Sequence, residues 1–103
     1  MYMELFDVSQ IEGFDWDEGN LSKNEKKHGI TWKECEEIFK NKPLAILPDH
    51  EHSHKEERYE VFGKTDKDKE LALIITLRRN LIRIISARAQ NKWERKKYQS
   101  INH

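Results

Sequence analysis

The residues of this chain best suited to chemistry crowd into its second half. All six arginines follow position 57: Arg58, Arg78, Arg79, Arg83, Arg88 and Arg95. Arginine presents a planar, permanently charged fork that matches phosphate oxygens, so the series points to an anionic ligand. The segment Arg83-Ile84-Ile85-Ser86-Ala87-Arg88 is the most specific piece, because a buried strand does not ordinarily begin and end with arginine. Strict alternation puts Arg83 and Arg88 on opposite faces, their separation being odd. A bulge or a strand end must re-aim Arg88 for the two to serve one site. Glu94 and Tyr98 stand one helical turn apart and could act as proton acceptor and proton donor. His28 closes an expected helix, where it serves either as a structural cap or as a general acid or base. His50-Glu51-His52-Ser53-His54 has the look of a metal tract. A zinc site needs ligands held by a folded frame, however, and a solvated loop accounts for the tract as well.

The chain has 103 residues with 19 basic and 19 acidic side chains, 36% hydrophobic residues and a mean hydropathy of −0.98. That length implies one thinly cored domain over residues 1–103, and the zero net charge stands against disorder. Neutrality hides a polarity. Residues 1–52 hold 12 acids and 6 bases, whereas residues 53–103 hold 13 bases and 7 acids. Such asymmetry suggests an anionic partner for the C-terminal half, or mutual neutralisation of the halves within the fold. The longest apolar run, Leu71 to Ile75 with an extension to Leu77, is far short of a membrane span. The acidic start MYMELFDVSQ has no secretory pattern. A single cysteine, Cys35, leaves no internal disulfide and no CxxC site; it falls on an apolar helix face and reads as core rather than nucleophile. A soluble cytoplasmic protein is expected. No glycine-rich phosphate loop, GxSxG or HExxH is present.

The elements that must position these residues follow from local patterns. Phe14 to Trp16 alternates and suits a short strand. A helix is expected from Asp17 or Ser22 to His28, with capping-box spacing from Ser22 to Glu25 and Gly29 at its end. A second begins at Thr31, with Glu34 at N3 and Ile30 placed to staple to Cys35; Cys35, Ile38 and Phe39 share its apolar face, and Pro43 follows its end. Strands are expected at Leu44 to Leu47, Arg58 to Gly63, Leu71 to Leu77 and Leu81 to Ala87, with a charged turn at Thr65 to Lys69 and a break at Asn80. Asn91 to Ile101 reads as a charged helix, with Trp93 and Lys97 on one stripe and Glu94, Tyr98 and Ile101 on another. The plan is α+β: an antiparallel sheet with two N-terminal helices and one C-terminal helix.

Taken in order, a set of short pieces resembles the BrnT family of bacterial type II toxins, ribonucleases of the RelE-like fold. The pieces are Gly13-Phe14-Asp15-Trp16-Asp17, Lys27-His28-Gly29, Phe39 with Pro43-Leu44, His52-Ser53, Glu56 with Arg58, Gly63-Lys64-Thr65, Thr76 with Arg78, Arg83 to Ala89, and Glu94-Arg95 with Tyr98. They cover roughly residues 11–98, so residues 1–10 form an N-terminal extension. Trp32 departs from the smaller residue or phenylalanine usual there. The resemblance implies a RelE-like fold of the plan just described. It also implies a BrnA-like ribbon-helix-helix antitoxin, assembly of two toxins with two antitoxins, and operator DNA contacted only through that antitoxin. The activity it implies is RNA cleavage that slows translation, and that cleavage is expected to need no metal or other cofactor.

In such cleavage the ribose 2′-hydroxyl attacks the adjacent phosphate, which calls for a proton acceptor, a proton donor and cations. Matching the family's arginine positions assigns Arg58, Arg83 and Arg88 to phosphate. Lys27, Arg78 and Arg95 are further RNA contacts. Glu94 or His28 takes the 2′ proton, and Tyr98 assists the leaving oxygen. Two other readings remain open on sequence alone. One is a non-catalytic module that binds nucleic acid or protein beside a DNA-binding partner. The other is a metal-binding accessory protein using His50, His52 and His54.

Overall fold

The computed structural model describes residues 8–17, 28–51 and 55–101. A 3-10 turn at Val8–Gln10 precedes β1 (Gly13–Phe14), helix α1 (Trp32–Glu37), β2 (Ala45–Pro48), β3 (Arg58–Lys64), β4 (Glu70–Arg78), β5 (Leu81–Ala89) and helix α2 (Lys92–Gln99). The strands form one sheet in the order β1-β5-β4-β3-β2. Strands β2 to β5 pair antiparallel, whereas β1 runs parallel to β5.

The expected antiparallel sheet with two N-terminal helices is therefore corrected. The sheet is mixed, because β1 joins the last strand rather than its successor and no hairpin dictates its direction. Among the described residues one N-terminal α-helix of six residues accompanies the lone 3-10 turn. The other expected helix, from Asp17 or Ser22 to His28, runs through residues 18–27, outside those described.

Helix α1 starts where its local chemistry places it. The Glu34 amide donates to Thr31 Oγ1 at 3.1 Å, and the Thr31 amide donates to Glu34 Oε1 at 2.9 Å. This reciprocal cap satisfies two amides that the first turn would leave without partners. Just before it, Gly29 adopts φ 69°, the left-handed conformation expected there. Ile30, Cys35 and Ile38 are buried with Val61, Leu71, Leu73, Ile75, Ile82 and Ile84 in one cluster. Fully burying an aliphatic side chain of this size contributes about 1.5–3 kcal/mol. The approach is close enough that a Cβ on Gly63 would lie 2.9 Å from Ile38 Cβ. Burial pushes the Cys35 thiol up to about 12, so it is inert near neutrality.

Strands β4 and β5 form a hairpin whose two linking residues, Arg79 and Asn80, have φ of 54° and 67°. Two left-handed residues in a two-residue loop match the right-handed twist of the flanking strands. Further along, the ladder slips. Ile74 pairs with Ser86 and Ile75 with Ile84, leaving Ile85 as an extra residue in β5.

Candidate active site

The bulge at Ile85 decides where the arginines point. Residues directly paired across strands share a face of the sheet. Arg58, Thr76 and Arg83 form one such row across β3, β4 and β5, and Phe62, Ala72 and Arg88 form another. Arg78 lies two residues beyond Thr76 and takes the same side. Without the extra residue Arg88 would pair with Leu71 and turn into the core; with it, Arg58, Arg78, Arg83 and Arg88 all stand on the face opposite the main apolar cluster. The two rows are four residues apart, about 13 Å along the strands.

Each of these arginines meets a carboxylate. Arg83 approaches Asp17 at 2.7 Å and Asp15 at 3.6 Å. Glu56 lies 4.0 Å from Arg58 and 3.6 Å from Arg78. Alternation in the N-terminal segment explains the Arg83 pairs. Phe14 packs edge-on to Phe39 and Trp16 Nε1 donates to Glu36 Oε2 at 2.8 Å, while the intervening Asp15 and the following Asp17 turn to Arg83. Thr76, buried between Arg58 and Arg83, donates its hydroxyl to the Glu57 carbonyl at 2.8 Å and so fastens the residue before Arg58.

At the other end, α2 begins with a second capping box. The Glu94 amide donates to Asn91 Oδ1 at 2.8 Å, and the Asn91 amide donates to Glu94 Oε1 at 2.9 Å. Glu94 also accepts two bonds from Arg88, at 2.7 and 2.9 Å. The Arg88 bonds, aided by the Asn91 amide, hold the Glu94 carboxyl below its ordinary range. The same hydrogen bonds raise Arg88, as Asp17 raises Arg83, so both remain cationic.

Five predicted residues thus share one surface: Arg58, Arg78, Arg83, Arg88 and Glu94. The others are placed differently. Tyr98 is 3% exposed and its hydroxyl donates to the Pro43 carbonyl. Burial, with Glu70 adding, pushes its hydroxyl up to about 12. Arg95 donates to the Gln90 carbonyl at 2.7 Å. His28 is exposed, two residues before Ile30, which enters the core on the far side of the sheet. Lys27, His52 and His54 lie outside the described residues, and His50 is exposed. Sequence reasoning missed Asp15, Asp17 and Glu56 as the arginines' partners, and the Asn91 cap. The Asn91-x-x-Glu94 spacing carried that cap in plain view.

Guanidinium groups on one face of a small sheet, with a capped carboxylate at its end, make a surface that can handle a phosphodiester backbone. A family model for the ribonuclease toxin BrnT of a type II toxin–antitoxin system matches residues 16–94, more than three quarters of the chain. The chain belongs to the BrnT family. No curated protein matches it. A type II family of this kind brings with it an antitoxin partner. No helix among the described residues is long and apolar enough to cross a membrane.

Proposed function

We propose that the chain is a metal-independent endoribonuclease that cuts RNA by 2′-hydroxyl attack and thereby slows translation. The observation that carries this reading is the shared face of Arg58, Arg83 and Arg88, created by the bulge at Ile85. The bond from the 2′ oxygen to phosphorus forms as the bond from phosphorus to the 5′ oxygen breaks. The products are a 2′,3′-cyclic phosphate and a 5′-hydroxyl. The arginines offset the charge that develops on the phosphate oxygens, the largest single contribution in such chemistry. Glu94, oriented by Arg88 and Asn91, accepts the 2′ proton. Its lowered pKa makes it a weak base, so the enzyme is a modest catalyst. His28 is the second candidate for that proton. Tyr98 serves the leaving oxygen only by giving up its bond to Pro43. Arg78 and Arg95, with Lys27, add RNA contacts outside the reacting bonds. The antitoxin is a BrnA-like ribbon-helix-helix protein, two copies of which bind two toxins and carry the complex to operator DNA.

The test is incubation of purified protein with cellular RNA in excess EDTA. Wild type yields fragments ending in cyclic phosphate, and Arg83→Ala lowers the rate by about 100-fold or more. Glu94→Gln lowers it by about 100-fold without weakening RNA binding. Cleavage abolished by chelation overturns metal independence and returns attention to His50–His54. Equal rates in wild type and both variants overturn the site. Growth arrest relieved by the neighbouring reading frame checks the partner.

A further inference from the structure

A cleft of about 540 Å³ opens between α2 and the β2–β3 edge, lined by Leu47, Glu60, Phe62, Trp93, Lys97 and Ile101. Its volume is in the range that encloses small ligands. Trp93 is 66% exposed. Lys97 Nζ lies 4.5 Å from the ring centroid, a cation–π contact that steadies the ring. An indole left this open on a strongly charged helix is a flat apolar platform without a buried partner. Glu60, whose carboxylate also acts on Arg88, stands two residues from Arg58 on the same side of β3, about 7 Å along the strand. That is roughly one nucleotide from a phosphate held by Arg58.

We propose that this cleft receives an unpaired guanine of the RNA, stacked on Trp93 with its Watson–Crick edge against the Glu60 carboxylate. The inference rests on the ribonuclease reading and gives it a base preference. A carboxylate only accepts hydrogen bonds, through two oxygens side by side. Guanine offers two adjacent donors on that edge, N1–H and the 2-amino group. Adenine and cytosine offer one donor beside an acceptor, and uracil one donor between two acceptors. Stacking on an aromatic ring serves any base, so Trp93 supplies affinity and Glu60 the choice. The cleft wall sets Glu60, the Arg88-paired Glu94 and Lys97 among Leu47, Phe62 and Trp93, a mostly apolar lining that suits a neutral flat base whose phosphates stay on the arginines.

Fluorescence anisotropy of short oligonucleotides, with 2′-deoxyribose at the cleavable position and one base varied, tests this on the full chain. The guanine oligonucleotide binds wild type about 10-fold more tightly than the uracil one. Trp93→Ala weakens guanine binding by about 10-fold. Glu60→Gln moves the preference toward adenine, because an amide pairs one donor with one acceptor. Equal affinity for all four bases overturns the proposal. So do Trp93→Ala and Glu60→Gln proteins that cut and bind as wild type does, and then the ribonuclease reading still stands. Normal RNA binding by Trp93→Ala with loss of antitoxin binding assigns the cleft to the protein partner instead. Wild type that neither binds nor cuts RNA removes both readings.

Discussion

The two faces of the sheet use the same strands for opposite purposes. On one, Val61, Leu73, Ile75, Ile82 and Ile84 are sealed beneath Ile30, Cys35 and Ile38. On the other, four arginines remain partly open to solvent, each beside a carboxylate. Apolar burial contributes about 25 cal/mol per Å² removed from water. Half-exposed ion pairs contribute about 0–1 kcal/mol each. The apolar face therefore contributes most of the stability, and the ion pairs of the charged face contribute little. On the proposed function, carboxylates and RNA phosphates compete for the same guanidinium groups there, and pairs this weak yield readily.

Substitutions should separate the two faces. Leu73→Ala should cost about 2–5 kcal/mol in urea unfolding, with RNA affinity of the folded fraction unchanged. Gly63→Ala should cost about 1–3 kcal/mol, because the added methyl presses on Ile38. The acid limb is the third expectation. Glu94 has a lowered folded pKa, so its stabilisation is complete above the unfolded value near 4.3 and is lost as pH falls through the folded one. The Glu94→Gln protein should be less stable than wild type by about 1 kcal/mol at neutral pH, with the gap closing below about pH 4. Thermal melts across pH 2 to 7, roughly the range of carboxylate titration, would show it. The smallest effect falls on the charged face. Asp17→Asn should raise RNA affinity by up to about 5-fold at low salt with little change in stability. A drop in affinity would mean that Asp17 positions Arg83 rather than competing with RNA.

Much of the scaffold is legible in residues that act on near neighbours. Thr31 and Glu34 announce α1 because both halves of the cap lie within one turn. The alternation of Arg58 to Gly63 and the apolar run Leu71 to Leu77 reveal β3 and β4, since burial follows the pleat. The direction of β1 was not legible, because Phe14 finds Ile82 across the length of the chain. Alternation alone sends Arg88 away from Arg83. The readable hint was the odd spacing between Ile84 and Ala87, both buried, which a regular strand cannot achieve. Asp17 as the partner of Arg83 left no local trace, since 66 residues separate them.

A strand of two residues is the least secured member of a sheet. Phe14 of this strand and Trp16 just beyond it are aromatic anchors on one side, and Asp15 and Asp17, also just beyond it, are the counterions of Arg83 on the other. Anything that lifts Phe14 from Phe39 withdraws Asp15 and Asp17 in the same movement and bares a cation for a polyanion. Loosening the hydrophobic seam with Phe14→Ala should thus register first as tighter polyphosphate binding, well before the remaining strands give way.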